Sequence, residues 1–200
     1  MTDDPRLARL GRFTPEGALM PGYGDTYLFL VGRDDVHSVL KTLIGQETLQ
    51  IKLSMFGYDD DELNEILMAK LHDRGVHVQV SLDRSQANCV HERKILDADR
   101  RLDPAGFANS VVVTDSPTHQ ILHTKGGVLA GQSIALEGST NWSASGEGIG
   151  IDLKGRAVQG FRAQANTLVV STNPVLVSRL SARLDVEHHT AARSDRPAAA

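Results

Sequence analysis

Residues 48–83 read TLQIKLSMFGYDDDELNEILMAKLHDRGVHVQVSLD, and this stretch decides the fold class. Apolar residues alternate from Leu49 to Met55, which predicts a strand with one buried face. The aspartates at 59–61 then begin a helix whose apolar side chains recur at helical spacing as far as Arg74-Gly75. Alternation returns from Val76 to Leu82 and predicts a second strand. Strands that alternate with helices in this way favour an α/β domain.

The same alternation continues on both sides of this stretch. Residues 26–31 are predicted as a strand, residues 34–43 as a helix that stops at Gly45, and residues 90–102 as a further helix. A last helix is predicted to begin at Asn173-Pro174. The second half is richer in strands, which we predict at residues 107–114, 120–122, 132–136 and 166–171. The expected fold class is therefore α/β, with a mixed central β-sheet flanked by helices.

The chain has 200 residues, of which 40% are hydrophobic, and this is enough for one compact domain. We predict an N-terminal arm at residues 1–24, a domain at 25–186 and a disordered tail at 187–200. The net charge of −4 gives no general indication of a polyanionic partner. The single cysteine excludes an intramolecular disulfide. We expect a soluble, cytoplasmic protein, because no apolar run reaches the roughly 18 residues of a membrane helix and no signal peptide is recognisable.

Two polar motifs in the second half carry the candidate chemistry, namely His123-Thr124-Lys125 and Gly138-Ser139-Thr140-Asn141. Side chains two residues apart share one face of a strand, so His123 and Lys125 are expected to reach the same anion. The lysine supplies a positive charge, and the second motif supplies a tight turn, a hydroxyl and a carboxamide. Together these groups are expected to bind the non-bridging oxygens of a phosphate, which leaves the imidazole to attack phosphorus.

With these motifs the chain resembles the phospholipase D superfamily, whose signature is H-x-K-x4-D followed by G-S-x-N. The resemblance extends from about residue 25 to residue 186. It includes the helix from Asp61 to Arg74 with the Val-rich strand that ends at Asp83. It also includes residues 164–174, which read QANTLVVSTNP. The resemblance implies a single phospholipase D-like domain.

The resemblance further implies a two-step phosphodiester cleavage that uses no metal ion or other cofactor. In this sequence His123 matches the nucleophile, Lys125 the phosphate-binding lysine, and Ser139 and Asn141 the polar partners of the second motif. Members with one copy of the motif build the active site across a homodimer. One histidine then forms a phosphohistidine, and its copy in the partner protonates the leaving oxygen.

The expected substrate is nucleic acid, because compact members with one motif resemble endonucleases more than lipases. We cannot choose between DNA and RNA from the sequence, and we expect no stable association with a membrane. Trp142 fits a place beside the substrate, in the core or at the subunit interface. The residues expected to bind the substrate are Gly138, Thr140, Trp142 and Arg84.

Two departures from the family pattern bear on activity. Ala130 stands where the signature has its aspartate, and Ala165 replaces a carboxylate that orients the nucleophilic histidine. Weakened activity is therefore expected, with Glu137, Glu147 and Asp152 as the candidates to orient His123. Two other functions stay open. One is a phospholipase or phosphatidyl transferase, although no basic amphipathic helix is recognisable. The other is a catalytically degenerate dimer that binds nucleic acid or phosphate.

Overall fold

A computed structural model describes residues 4–15, 24–116, 121–149 and 163–194. The helices in these ranges are α1 (Pro5–Ala8), a 3₁₀ helix (Arg9–Phe13), α2 (Val36–Gly45), α3 (Asp61–His72), α4 (Arg84–Ala87), α5 (Val90–Leu102), α6 (Pro104–Ser110), α7 (Ala144–Glu147) and α8 (Pro174–Ser194). The strands are β1 (Thr26–Leu30), β2 (Gln50–Met55), β3 (His77–Asp83), β4 (Val111–Thr114), β5 (Lys125–Leu129), β6 (Ile134–Gly138) and β7 (Thr167–Ser171).

The strands of the described residues form one mixed sheet of seven, in the order β1-β7-β6-β5-β2-β3-β4. Strands β2, β3 and β4 are parallel, whereas β5, β6, β7 and β1 each pair antiparallel with the strand beside them. The ends of β2, β3 and β6 therefore lie at the same edge of the sheet as the beginnings of β5 and β7. The α/β fold with a mixed sheet and flanking helices is confirmed.

One face of the sheet carries the main hydrophobic core. Alternate residues of β2 and β3, such as Leu53 and Val80, pack there with α2, α3 and α5. Leu7 and Leu10 are also fully buried in this core. The expected N-terminal arm is wrong in this respect, because residues 5–13 form two short helical elements whose leucines complete the core.

The other face of the sheet is unusually polar and is covered by α8. Lys52 of β2 donates to Asp185 at 2.6 Å and to Ser181 at 2.8 Å, and the Oγ of Ser81 lies 3.2 Å from Nδ1 of His188. Strand β2 is thus buried on both faces, not on one. The expected disordered tail is wrong for residues 187–194, since α8 continues to Ser194 and His188 is buried in it. Residues 195–200 lie outside the described residues.

Two predicted strands also need correction. Residues 104–110 form α6, because Pro104 occupies its first turn and Asp103 accepts the N–H of Gly106 at 2.9 Å. Only Val111–Thr114 of the predicted strand is extended as a strand. Residues 121–124 form no strand, and β5 begins only at Lys125. Within the described ranges, no helix is long and apolar enough to cross a membrane.

Candidate active site

Both polar motifs lie at the sheet edge where β2 ends, and Phe56 and Gly57 join them there. The ring of Phe56 lies 4.5 Å from the imidazole of His123, centroid to centroid, and Nζ of Lys125 lies 4.6 Å from the same ring centroid. The next residue, Gly57, donates its N–H to Oδ1 of Asn141 at 3.1 Å. The end of β2 is therefore the element that brings the first motif and the second motif to one place.

His123 is exposed, and it lies just before β5 instead of within it. The predicted arrangement of His123 and Lys125 on one face of a strand is therefore replaced by an extended segment that leads into the strand. Among the described residues, none forms a hydrogen bond with the imidazole nitrogens of His123. In the part of the chain that the structure describes, the ring contact is with Phe56 and the imidazole is exposed, so a nitrogen lone pair is accessible to a substrate from solvent.

Lys125 is buried, with 7% of its surface exposed, and its ammonium lies over the Phe56 ring. Its ammonium donates to the carbonyl oxygen of His123 at 2.8 Å. Burial lowers the pKa of Lys125, and the charges of Asp83 and Glu137 act in the opposite direction. An ammonium group has three N–H donors, so two remain without a partner among the described residues. These donors are available to a phosphate oxygen beside His123.

Asp83, at the end of β3, fixes the backbone that precedes the nucleophile. Its Oδ2 accepts the N–H of Leu122 at 2.8 Å, and its Oδ1 accepts the N–H of Ser85 at 2.9 Å at the start of α4. Because Leu122 is adjacent to His123, this carboxylate sets the position from which the imidazole projects. The sequence offered one signal for this role, a carboxylate directly after a buried strand, but gave no indication of its partner.

The second motif is built into the turn between β6 and α7. A Cβ added to Gly138 would lie 2.2 Å from the carbonyl oxygen of Thr167, so this position admits only glycine. The hydroxyl of Thr140 donates to the same carbonyl at 2.9 Å and is buried. Ser139 is exposed, and its hydroxyl donates to Oδ1 of Asn166 at 3.1 Å and accepts from the N–H of Thr167. Gly138 and Thr140 therefore shape the turn, and Ser139 faces the solvent.

Trp142 and Arg84, both expected to bind the substrate, lie in different surroundings. Trp142 is 2% exposed and stacks on Tyr58 with ring centroids 5.9 Å apart. Its side chain belongs to the core, so its placement beside the substrate is wrong. Arg84 follows β3 at the same edge of the sheet, and its Nε lies 3.1 Å from Oδ2 of Asp115. A substrate phosphate that binds Arg84 must compete with this ion pair.

Of the three carboxylates expected to orient His123, the two that the structure describes, Glu137 and Glu147, form no hydrogen bond with its imidazole. The Oε2 of Glu137 lies beside Gly126, 2.5 Å from where a Cβ would be, and burial raises the pKa of Glu137. Glu147 binds Nδ1 of His37 at 2.6 Å. Asp152 lies outside the described residues. Ala165 is exposed, and among the described residues no carboxylate forms a hydrogen bond with the imidazole of His123.

The alanine that replaces the signature aspartate lies far from the site. Ala130 follows the last residue of β5, about 16 Å along the strand from Lys125. The turn after Ala130 is held instead by Glu47, which is fully buried. Its carboxylate accepts the N–H groups of Gly131 at 2.9 Å and of Gln132 at 3.3 Å. A carboxylate from another part of the chain thus stabilises this turn.

The charge of Glu47 leads to a prediction for Ala130→Asp. We expect this variant to unfold about 1 kcal/mol more easily than the parent, because a second carboxylate enters a turn whose N–H groups already serve Glu47. The cleavage rate is expected not to increase. Ala130→Asn is the matched control, since it has nearly the same shape and no charge. Urea unfolding of both variants measures the effect, and an aspartate variant more stable than the asparagine variant contradicts it.

Comparison with known proteins adds to this geometry. The family described as "Cardiolipin synthase, PLD-like domain" matches residues 40–185. The chain belongs to the phospholipase D superfamily. A comparison with curated proteins finds no match. The residues that match the superfamily signature are His123, Lys125, Ser139 and Asn141, and they lie at the sheet edge where β2 ends.

Solved structures of the superfamily share its fold. Nuc, a phospholipase D family member from Salmonella typhimurium, is 14% identical with a TM-score of 0.58, and the match covers 82% of this chain and 94% of that chain. NucT from Helicobacter pylori is 12% identical with a TM-score of 0.55, covering 81% and 94%. Phosphatidylserine synthase from Haemophilus influenzae Rd KW20 is 15% identical with a TM-score of 0.59, covering 80% and 36%. At these identities the likeness shows the fold alone.

Proposed function

We propose that the protein is a phosphodiesterase that cleaves nucleic acid through a phosphohistidine at His123. The observation that carries the proposal is the exposed imidazole of His123, which has no hydrogen-bond partner among the described residues and lies against the same Phe56 ring as the buried ammonium of Lys125. An anion that binds Lys125 comes within reach of the nucleophilic nitrogen. Membership of the phospholipase D superfamily supports phosphodiester chemistry at this motif.

Asn141 supplies further donors for the phosphate. The N–H of Gly57 can only donate, so the amide atom of Asn141 that faces it is the oxygen. The Nδ2 group of Asn141 is therefore turned away from Gly57 with its two N–H donors. Together with Lys125, these donors neutralise the charge that develops on the non-bridging oxygens in the transition state. Ser139 can add its hydroxyl only by giving up its hydrogen bond to Oδ1 of Asn166.

The reaction takes two displacements at phosphorus. In the first, a neutral imidazole nitrogen of His123 forms a bond to phosphorus, and the bond to the leaving oxygen breaks. A second, protonated histidine gives its proton to that oxygen. In the second displacement this histidine removes a proton from water, the water oxygen bonds to phosphorus, and the bond from phosphorus to His123 breaks. No metal ion takes part in this scheme.

The second histidine is supplied by another copy of the chain. The sequence has one H-x-K motif, and no acid lies within hydrogen-bond distance of the His123 ring among the described residues. A twofold axis next to the site would place His123 of the partner subunit opposite this imidazole. Ile121, two residues before the nucleophile, is 50% exposed and offers apolar surface for such an interface.

We therefore expect a dimer in solution. Sedimentation equilibrium at micromolar concentration should give about twice the chain mass of 21.6 kDa. A preparation that sediments as a monomer and still cleaves phosphodiesters contradicts the shared site. In that case the general acid must come from the same chain.

Nucleic acid is favoured as the substrate by the extent of the structural matches. The chain corresponds to 94% of Nuc and of NucT but to 36% of phosphatidylserine synthase. It thus has the size of the compact members with one motif, for which nucleic acid is the expected substrate. The imidazole of His123 is exposed among the described residues. An extended single strand of nucleic acid can therefore reach it.

The test is an incubation of the purified protein with single-stranded DNA, with single-stranded RNA and with phosphatidylcholine vesicles, each in excess EDTA. We expect cleavage of at least one nucleic acid and none of the lipid. Hydrolysis of the lipid alone would favour a phospholipase, and binding of nucleic acid without cleavage would favour a degenerate binding protein. Activity that EDTA removes while the melting temperature stays unchanged contradicts the phosphohistidine scheme.

A further inference from the structure

Three side chains from separate elements meet behind the second motif. They are His37 on α2, Asp60 at the N-terminus of α3 and Glu147 at the end of α7. Nδ1 of His37 lies 2.6 Å from Oε2 of Glu147 and 3.6 Å from Oδ2 of Asp60. One donor atom from each residue lies within 4.8 Å of the others. One nitrogen and two oxygens thus converge on a single point.

One carboxylate oxygen of Glu147 lacks a partner among the described residues. The Glu147 side chain is 0% exposed, and its Oε1 forms no hydrogen bond within that part of the chain. Burial is also the main reason that the pKa of Glu147 is raised. A buried carboxylate oxygen without a donor is costly, so its presence requires a positive partner or a donor that completes the cluster.

The opposite nitrogen of His37 is oriented by a further carboxylate. Nε2 lies 2.9 Å from Oε2 of Glu62, which also pairs with Lys41. When Nε2 carries the proton and donates to Glu62, the lone pair of Nδ1 faces Asp60 and Glu147. An imidazole that binds a metal through one nitrogen and a carboxylate through the other is the usual arrangement at protein metal centres.

We propose that His37, Asp60 and Glu147 bind one divalent transition-metal ion, with Zn²⁺ as the expected occupant. Imidazole nitrogen favours Zn²⁺ over Mg²⁺ and Ca²⁺, which prefer sites made entirely of oxygen. Two buried carboxylates and a neutral imidazole carry a charge of −2, which a divalent ion balances. The site is separate from the proposed cleavage reaction, since none of its three residues belongs to either polar motif.

The bound ion would join α2, α3 and α7. Helix α7 begins two residues after Trp142, so the segment that carries Asn141 would be fixed to the core by the ion. None of the three ligands belongs to either polar motif, so cleavage is expected to persist in chelator, with the ion adding stability.

The test is equilibrium dialysis of the whole protein against Zn²⁺, followed by elemental analysis and thermal unfolding. We expect about one equivalent of Zn²⁺ and a rise in melting temperature of about 5 °C at saturating metal. Mg²⁺ and Ca²⁺ should raise it less. His37→Gln and Glu147→Gln should each lose this equivalent. The matched control His72→Gln, which alters an exposed pair with Asp103, should retain it.

X-ray absorption of the Zn²⁺-loaded parent keeps the test decisive if a variant fails to fold. We expect one imidazole and otherwise oxygen neighbours. Sulfur in the shell would place the ion at the exposed Cys89 and overturn the assignment. The assignment would likewise be overturned if the parent bound no Zn²⁺, or if His37→Gln and Glu147→Gln both still bound one equivalent of Zn²⁺. The cluster would then be an ion pair between His37 and the carboxylates. None of these outcomes depends on phosphodiester cleavage, so the two proposals succeed or fail separately.

Discussion

Replacing His123 by alanine is expected to lower the rate of phosphodiester cleavage at least about 10³-fold, because it removes the atom that bonds to phosphorus. The protein should still fold, since the imidazole is exposed and contacts the ring of Phe56 without a hydrogen bond among the described residues. Steady-state cleavage of single-stranded nucleic acid in excess EDTA measures the effect. Thermal unfolding of the same preparation shows that the fold is intact.

The control is His72→Ala, which removes another exposed histidine from the far end of α3. This variant should cleave at the parental rate. A His123→Ala protein that keeps more than a tenth of the parental rate would mean that another residue attacks phosphorus. Since Lys125 and Asn141 would still be present, binding of the nucleic acid should change much less than turnover.

Replacing Glu47 by alanine is expected to lower the free energy of unfolding by about 3 to 5 kcal/mol. This carboxylate accepts N–H groups from two parts of the chain. Its Oε1 accepts from Leu49 at 2.7 Å and from Gly131 at 2.9 Å, so it ties the start of β2 to the turn between β5 and β6. The alanine removes the carboxylate that these N–H groups share and empties the fully buried position of the Glu47 side chain. Chemical unfolding at neutral pH measures the loss.

The pH dependence follows from the same contacts. Burial acts to raise the pKa of Glu47, but the backbone hydrogen bonds outweigh it, and the pKa lies below its usual value. The stabilisation is therefore complete above the pKa of the unfolded state and is lost as pH falls through the folded pKa. The difference between parent and Glu47→Ala should shrink on acidification. Glu65→Ala, which removes an exposed glutamate, should change stability by less than about 0.5 kcal/mol; an equal effect contradicts the account.

Much of the first half of the fold could be predicted from periodicity. In residues 48–83 the apolar residues alternate in the two strands and recur at helical spacing in the helix between them. The structure confirms all three elements. Residues 107–114 are predicted as one strand from Phe107 and the valines at 111–113, whereas Asp103-Pro104 is the signal for the helix that the structure shows up to Ser110. The end of α8 was missed because its burial depends on polar partners such as Ser81, which are distant in sequence.

The candidate site also contains residues that the sequence predicts and residues that only the structure shows. His123, Lys125 and the second motif could be found from their spacing, since the chemistry demands those residue types. Phe56 and Gly57, which connect the motifs, and Asp83, which holds the backbone before His123, could not be assigned, because their roles arise from pairing between strands. Glu47, which accepts the N–H of Gly131 beside Ala130, could not be assigned either, because it is distant from this turn in the sequence.

The stereochemical course at phosphorus tests the central claim most directly. The substrate is a nucleic-acid phosphorothioate of one configuration at the scissile phosphorus, cleaved in water labelled with ¹⁸O. Two successive in-line displacements, first by His123 and then by water, each invert the phosphorus, so the account predicts overall retention of configuration. Overall inversion would show that water attacks phosphorus directly, and it would contradict the covalent phosphohistidine at His123.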